Sequence, residues 1–245
     1  MDGIILAAGY ATRLWPLTKN YPKPLLEVAG KPMIEHIIDK LEEISLNKIY
    51  VVTNNKFYNN FIEWSNKIKF RIPIEIINDG TLSNEDRLGA IGDVNFVINK
   101  KKMTDDIVVI AGDNLFEFSL KGSYNLFRNV KSTTIALHDV KDIKLATLYG
   151  VVAIDNNKKI IDFQEKPKKP KSTLISTGVY FFPKKQISLI KEYVEKNVDA
   201  DKTGSFIQWL YNKVEVYAYV THKAWHDIGD KEQLKEVRKT YKGKK

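Results

Sequence analysis

The sequence contains no cysteine. That excludes a disulfide framework, thiol catalysis and any cysteine-ligated zinc site. No apolar run reaches the length of about 18 residues that a membrane-spanning helix needs. The first residues, MDGIILAAG, carry no basic segment ahead of their apolar run, so they are expected to form a first strand rather than a secretory leader. Together these absences favour the cytoplasm. Arginine is scarce: of 39 basic residues five are arginine and 34 are lysine. Nucleic-acid readers lean on arginine for bidentate contacts. The net charge of +9 therefore speaks for compositional bias or a phosphorylated small substrate rather than a dedicated nucleic-acid binder. Histidine is scarcer still, with four in all. Two familiar phosphate loops are missing as well. No G-x-x-x-x-G-K-[ST] occurs, and no G-x-G-x-x-G follows the first apolar run, because position 11 is alanine and position 14 leucine.

What remains is an ordinary globular composition: 245 residues, 43% hydrophobic and 28% charged. That length fits one large α/β domain or two small ones. Short β-branched runs recur in the first half as GIILAA, KIYVVT, IPIEII and DIVVIAG. Between them lie segments with helical spacing. Met33, Ile34, Ile37, Ile38 and Leu41 mark one face, and Phe57, Phe61, Ile62 and Trp64 mark another. Leu88, Ile91, Phe96 and Val97 fit a third helix less cleanly. Strand-helix alternation of this kind implies a mostly parallel sheet with right-handed crossovers.

The second half changes character. STTIALHDV, YGVVAID, KIIDFQEKP and ISTGVYFF are strands with few helices between them, and Asp155-Asn156-Asn157 sets a hairpin turn. Helices are expected at about Lys184–Lys196, with Pro183 in the first turn, and at Ser205–Asn212. A strand VEVYAYV precedes AWHDIGD, and a closing helix starts at Lys231 behind Asp230 as its cap. The expected fold is α/β: one domain over 1–245 with a Rossmann-like, mostly parallel central sheet flanked by helices. A smaller mixed-sheet region, from about Thr133 to Phe182, is inserted in it.

In open α/β sheets ligands bind beyond the carboxyl ends of the strands. The loop after the first strand, LAAGYATRLWPLTKNYPKPLLEV, is built for an anion there. Gly9 permits close backbone approach, and neighbouring amides can form a nest. Arg13 adds a permanently charged fork suited to phosphate oxygens. Lys23 stands between Pro22 and Pro24, which restricts its backbone and lowers the entropy lost on contacting a ligand.

This stretch, continued through AGKPMIEHI, resembles the signature of the sugar-1-phosphate nucleotidylyltransferases, in the branch typified by glucose-1-phosphate thymidylyl- and uridylyltransferases. These join an NTP to a sugar 1-phosphate and release pyrophosphate. Later motifs match in order, so the resemblance spans nearly the whole chain. It implies a nucleotide-binding half over about 1–120 and a sugar-phosphate-binding half over about 121–230. It assigns Leu6, Ala8, Gly9, Ala11, Thr12, Arg13 and Lys23 to the nucleotide. Ala11, where many relatives carry glycine, is the soft point of that loop.

Further constellations follow. DDIVVIAGDN ends an apolar strand in Gly112-Asp113-Asn114, where a carboxylate suits Mg²⁺ but an Asp-Asn turn cap is equally common. By resemblance Asp113 is a metal ligand and Asp227, in AWHDIGD, completes the site. Asp230 reads as a helix cap and His226 as incidental. DFQEKP is similar to the family's Glu-Lys-Pro segment: Glu165 would bind sugar hydroxyls and Lys166 the sugar phosphate. Lys168, Lys169 and Lys171 read as a solvated loop. Tyr149, Gly150, Gly178 and Trp225 match the sugar pocket. One region departs. INDGTLSNEDRLGAIGDV is longer than the family's Gly-Leu-Ala-x-Ala helix start, and Arg87 stands where glycine is expected. A long polar side chain there suits the base, the ribose or a phosphate, and suits solvent equally.

The chemistry implied needs no general base, because a phosphate monoester with a second pKa of about 6 is already a dianion at neutral pH. Arg13, Lys23, Asp113 and Lys166 would act by positioning and charge neutralisation, with Mg²⁺ on Asp113 and Asp227. Rival expectations are transfer to a non-sugar phosphate such as phosphocholine, a non-catalytic nucleotide-binding or regulatory protein, and a basic nucleic-acid binder. The hexapeptide β-helix domain that some relatives append is not expected after the closing helix. Self-association is common in the family, and nothing in the sequence specifies an interface.

Overall fold

The β-branched runs of the first half become adjacent strands in a computed structural model of the protein, which describes residues 1–196 and 200–243. Strand β1 (Asp2–Leu6) leads through the long loop to the short strands β2 (Glu27–Val28) and β3 (Lys31–Pro32). Then come α1 (Met33–Leu41), β4 (Ile49–Thr53), α2 (Tyr58–Lys67), β5 (Ile74–Asn78), α3 (Ala90–Lys101) and β6 (Ile107–Ala111). The middle holds β7 (Asn114–Phe116), α4 (Leu120–Val130), β8 (Thr134–Asp139), α5 (Ile143–Ala146), β9 (Gly150–Ile154), β10 (Ile160–Glu165) and β11 (Leu174–Phe182). The chain closes with α6 (Ser188–Lys196), α7 (Thr203–Leu210), β12 (Tyr217–Thr221), β13 (Trp225–Asp227) and α8 (Lys231–Thr240). Among the described residues no helix is long and apolar enough to cross a membrane.

Strands β5, β4, β1 and β6 are parallel neighbours, with Leu6 opposite both Val52 and Ala111. Both faces of this block are covered, which is why its strands read as continuous apolar runs rather than alternating ones. Helices α1, α2 and α4 close one face around Ile37, Phe61 and Phe127. Helices α3, α6 and α7 close the other around Val94, Ile190 and Phe206. Phe181 faces the first of these cores and Phe182 the second, as the two-residue period of β11 requires. Truncating the fully buried Phe181 would cost about 3–5 kcal/mol.

The second half is not an insertion beside this sheet. β11 runs antiparallel to β6, with Tyr180 opposite Val109, so the same sheet continues through it. The path runs β10-β9-β11-β6-β1-β4-β5, with β8 pairing β11 and β12 pairing β8. One strand can serve β6, β8 and β9 because its register against β8 shifts between Ser176 and Tyr180. Gly178 sits in that bulge with φ +74°, and a Cβ there would collide with the Asn114 amide.

Local signals explain most elements. α1 buries Met33, Ile34, Ile37, Ile38 and Leu41 at helical spacing. The Asp155 carboxylate accepts from the Asn157 and Lys159 amides in the β9–β10 turn. Asp230 caps α8 through the Gln233 amide at 2.8 Å. Three expectations change. α3 begins at Ala90, which leaves Leu88 outside the helix and partly exposed. Pro183 precedes a short 3-10 turn, Lys184–Gln186, and α6 starts only at Ser188. α4 was not expected. Its Ser119 hydroxyl accepts from the Lys121 amide, and it buries Leu120 and Phe127 seven residues apart on one face.

Candidate active site

The carboxyl ends of β1 and β6 open onto two adjoining cavities. The larger, about 510 Å³, is lined by Leu6 to Leu14, Lys23 and Pro24, and by Asn84, Arg87, Gly89 and Asp93. The smaller, about 240 Å³, is lined by Tyr149, Gly150, Glu165, Lys166, Ser176 to Gly178, Trp225 and Asp227. Ala90, Ala111, Asp113, Asp201 and Thr203 belong to both. The first volume is that of a drug-sized ligand site.

The loop after β1 is held open by its own turn. Ala11 adopts the left-handed conformation, φ 47° and ψ 44°. Its carbonyl accepts from the Leu14 amide at 3.0 Å and the Thr18 hydroxyl at 2.7 Å. A glycine would adopt this conformation without strain, whereas alanine pays roughly 1 kcal/mol. Leu14 then anchors the loop in a small core with Val28, Met33, Leu115, Ile228 and Leu234. That anchorage leaves Arg13 exposed at the rim, with its guanidinium beside Gly229. Lys23 behaves differently. It opens a 3-10 turn, Lys23–Leu25, and its side chain is only 8% exposed. Its Nζ donates to Asp113 Oδ2 at 2.8 Å.

Pairing brings the two distant acids together. β13 runs antiparallel to β7 with Asp227 opposite Asn114, so Asp227 lies across from the residue that follows Asp113. Burial, and then the charge of Asp113, push the Asp227 carboxyl above the usual range, against the lowering effect of Lys23, Arg13 and Lys166. The frame around them is hydrogen bonded. The Asn114 amide and the Trp225 indole both donate to the Thr177 carbonyl, at 2.7 and 3.1 Å. Tyr149 meets Trp225 edge-on at 5.2 Å. Glu165 ends β10 opposite Gly150, where a Cβ would lie 2.7 Å from Phe163 and 3.1 Å from Glu165 Oε2. Lys166 turns out of the strand at φ 47°, its amide donating to the Tyr149 carbonyl at 3.1 Å. Among the described residues no three His, Asp or Glu cluster as a metal site. His226 stands edge-on to Tyr241, and burial lowers its pKa.

The family model for nucleotidyl transferases matches residues 2–244. The chain belongs to the nucleotidyl transferase family. A relative from Methanocaldococcus jannaschii, the bifunctional protein GlmU, is 36% identical over 98% of this chain and 54% of its own length. The UTP–glucose-1-phosphate uridylyltransferase of Synechocystis is 29% identical over 94% of this chain and 60% of its own. The chain thus spans about half the length of the curated relatives it matches. A solved structure, described as a glucose-1-phosphate thymidylyltransferase from Bacillus anthracis in complex with sucrose, superposes with a TM-score of 0.85 at 27% identity. That match covers 100% of this chain and 96% of the other. The relatives place this nucleotidyl transferase with the sugar-1-phosphate nucleotidylyltransferases, and its mostly parallel sheet with flanking helices is their fold.

In this nucleotidyl transferase every sequence-nominated site residue lines one of the two cavities. Others had no motif to reveal them. Asn84, Asp201, Thr203 and Gly204 reach the cavities from loops or a helix start. Arg87 points neither to solvent alone nor to an open phosphate site: it forks onto Asp201. Asp93 is a buried acid on α3. The nearby Asp79 Oδ1 accepts from the Thr81 amide and hydroxyl at 2.7 and 2.8 Å. Among the described residues no N–H or O–H of another side chain or amide reaches Asp79 Oδ2 or Asp93 Oδ1. Burial, and then the charge and hydrogen bond of Asp79, push the Asp93 acid up to about 8, so it keeps its proton and donates it to Asp79.

Proposed function

We propose that this protein transfers the nucleotidyl group of an NTP, with UTP or dTTP favoured, to a sugar 1-phosphate, with glucose 1-phosphate favoured, releasing pyrophosphate. The observation that carries the proposal is the meeting of the two cavities at Asp113. One cavity has a cationic loop for a polyphosphate. The other has a carboxylate, a lysine and glycine-lined backbone for a hydroxylated phosphate ester. The names of the Synechocystis relative and the Bacillus anthracis structure support a pyrimidine nucleotide and glucose 1-phosphate.

An oxygen of the sugar phosphate dianion attacks the α-phosphorus in line. The new O–P bond forms as the bond to the β-phosphate oxygen breaks, and pyrophosphate carries away the charge. No proton must move, so catalysis rests on position and charge. Arg13, free of hydrogen bonds among the described residues, takes the leaving β- and γ-phosphates. Lys23, pre-set between two prolines, neutralises the α-phosphate. Lys166 holds the attacking phosphate against repulsion from the triphosphate, and Glu165 accepts from sugar hydroxyls. The donor set fits Mg²⁺: Asp113 in the turn before β7 and Asp227 on β13, the strand paired with β7, where burial and the charge of Asp113 make Asp227 costly to ionise without a cation, with phosphates and water to complete the shell. Asp113 and Asp227 would hold the ion, which supplies charge neutralisation shared by both substrates. The same proposal sets the enzyme in the cytoplasm.

The test is a pyrophosphate-release matrix of five NTPs or dNTPs against a panel of sugar 1-phosphates and phosphocholine, with Mg²⁺. Release with a sugar 1-phosphate is the expected result. No release with any acceptor would overturn the proposal, and preference for phosphocholine would reassign the acceptor.

A further inference from the structure

The structure assigns Arg87 and Asp201 as a clasp that positions both substrates at once; this rests on the proposed transfer reaction. Arg87 Nε donates to Asp201 Oδ1 and Nη2 to Oδ2, both at 3.0 Å, while Nη1 donates to the Asn84 carbonyl at 2.6 Å. Every guanidinium nitrogen is therefore committed. This two-point fork fixes direction as well as distance, which a lysine would not.

What the clasp joins gives it significance. Arg87 comes from the loop before α3, on the wall of the larger cavity, and Asp201 from the turn before α7. That turn also supplies the cap α3 lacks. α3 has no side-chain cap, and its Ala90 and Ile91 amides donate to the Asp201 and Ala200 carbonyls at 3.2 and 2.9 Å. Gly89 lets the two backbones approach: a Cβ there would lie 2.5 Å from Asp201 Cα. Beyond Asp201, Thr203 accepts from the Tyr180 hydroxyl at 3.0 Å, and Gly204 packs against the Glu165 carboxylate, where a Cβ would collide. The line from Arg87 thus ends on Glu165, the residue proposed for the sugar.

Charge adds a second effect. Asp201 lines both cavities, and the Arg87 hydrogen bond holds its carboxyl below the usual range, so it is an anion facing two phosphate-bearing substrates. Arg87 neutralises it. The pair is 38% and 44% exposed, so it contributes little to global stability.

The experiment uses the full chain and its preferred substrate pair. Arg87→Ala is expected to raise KM for both the NTP and the sugar phosphate about three- to tenfold, with kcat changed less than about twofold and Tm within about 3 °C. Asp201→Asn breaks the fork without leaving a bare anion and should cost less. The double variant should be no worse than Arg87→Ala, and Arg87→Lys intermediate. Amide exchange at Ala90 and Ile91 should quicken about tenfold in Arg87→Ala. Unchanged KM values, a KM effect on one substrate only, or additive effects in the double variant would each overturn the clasp. Unchanged exchange at both amides would overturn it without reference to turnover. A wild-type protein that releases no pyrophosphate would sink the reaction instead, and leave the exchange result to decide the clasp.

Discussion

Replacing Asp93 with asparagine should stabilise the protein, and the gain should depend on pH. Asp93 stands in the first turn of α3, where the helix dipole favours an anion by about 0.3–1 kcal/mol. Burial and Asp79 overcome that preference and raise its pKa from 3.8 to about 8. Below about pH 4 the folded and unfolded chains both hold the proton. Between there and about pH 8 the unfolded chain loses it and the folded chain keeps it, so stability falls as pH rises through this window. Near pH 7 about three pH units of that window have been crossed, which at 1.36 kcal/mol each sets a ceiling of roughly 4 kcal/mol. Asparagine keeps an N–H for Asp79 and does not titrate. Urea unfolding followed by circular dichroism should show Asp93→Asn ahead of wild type by about 1–4 kcal/mol near pH 7. The two should converge near pH 4. Curves that stay parallel across this range, or an asparagine variant less stable near pH 8, would refute the raised pKa of Asp93.

Other expectations are simpler. Asp113→Ala, Arg13→Ala and Lys23→Ala should each cut the pyrophosphate-release rate about tenfold to a hundredfold, each losing a charge-assisted contact; near-normal turnover in Asp113→Ala would remove that residue from the site. Gly204→Ala should raise KM for the sugar phosphate with little change for the NTP, because its methyl displaces the Glu165 carboxylate; equal effects on both substrates would contradict this. Gly89→Ala combines a φ of 80° with overlap on the Asp201 backbone. It should lower stability by about 1–3 kcal/mol in thermal melts. Ala11→Gly relieves the left-handed alanine and should be neutral to about 1 kcal/mol stabilising, since glycine also loosens the unfolded chain.

The parallel block was legible because β1, β4 and β6 are buried apolar runs and β5 a partly buried, isoleucine-rich one. The cationic loop was legible because its residues are contiguous. The acid partners Asp113 and Asp227 came from family resemblance, since β13 and β7 lie far apart in sequence and only the fold pairs them. What escaped were relations across distance. Arg87 and Asp201 are 114 positions apart, and neither has a local pattern. Asp79 and Asp93 look like ordinary surface acids in sequence; only the walls of the fold bury them together. α4 escaped for another reason. Leu120, Tyr124 and Phe127 keep helical spacing, but the polar residues between them obscured a face that the fold buries.

The bulged strand β11 limits how this architecture can be recombined. It hydrogen bonds to β6 of the parallel block and to β8 and β9 of the second half at once. Swapping acceptor preference between relatives by exchanging a block of chain would have to move β11 with its Gly178 bulge intact. The natural crossover points fall in the turns before α4 and after β11, at Glu117–Ser119 and Pro183–Gln186. A seam inside the strand would mismatch three ladders in one step.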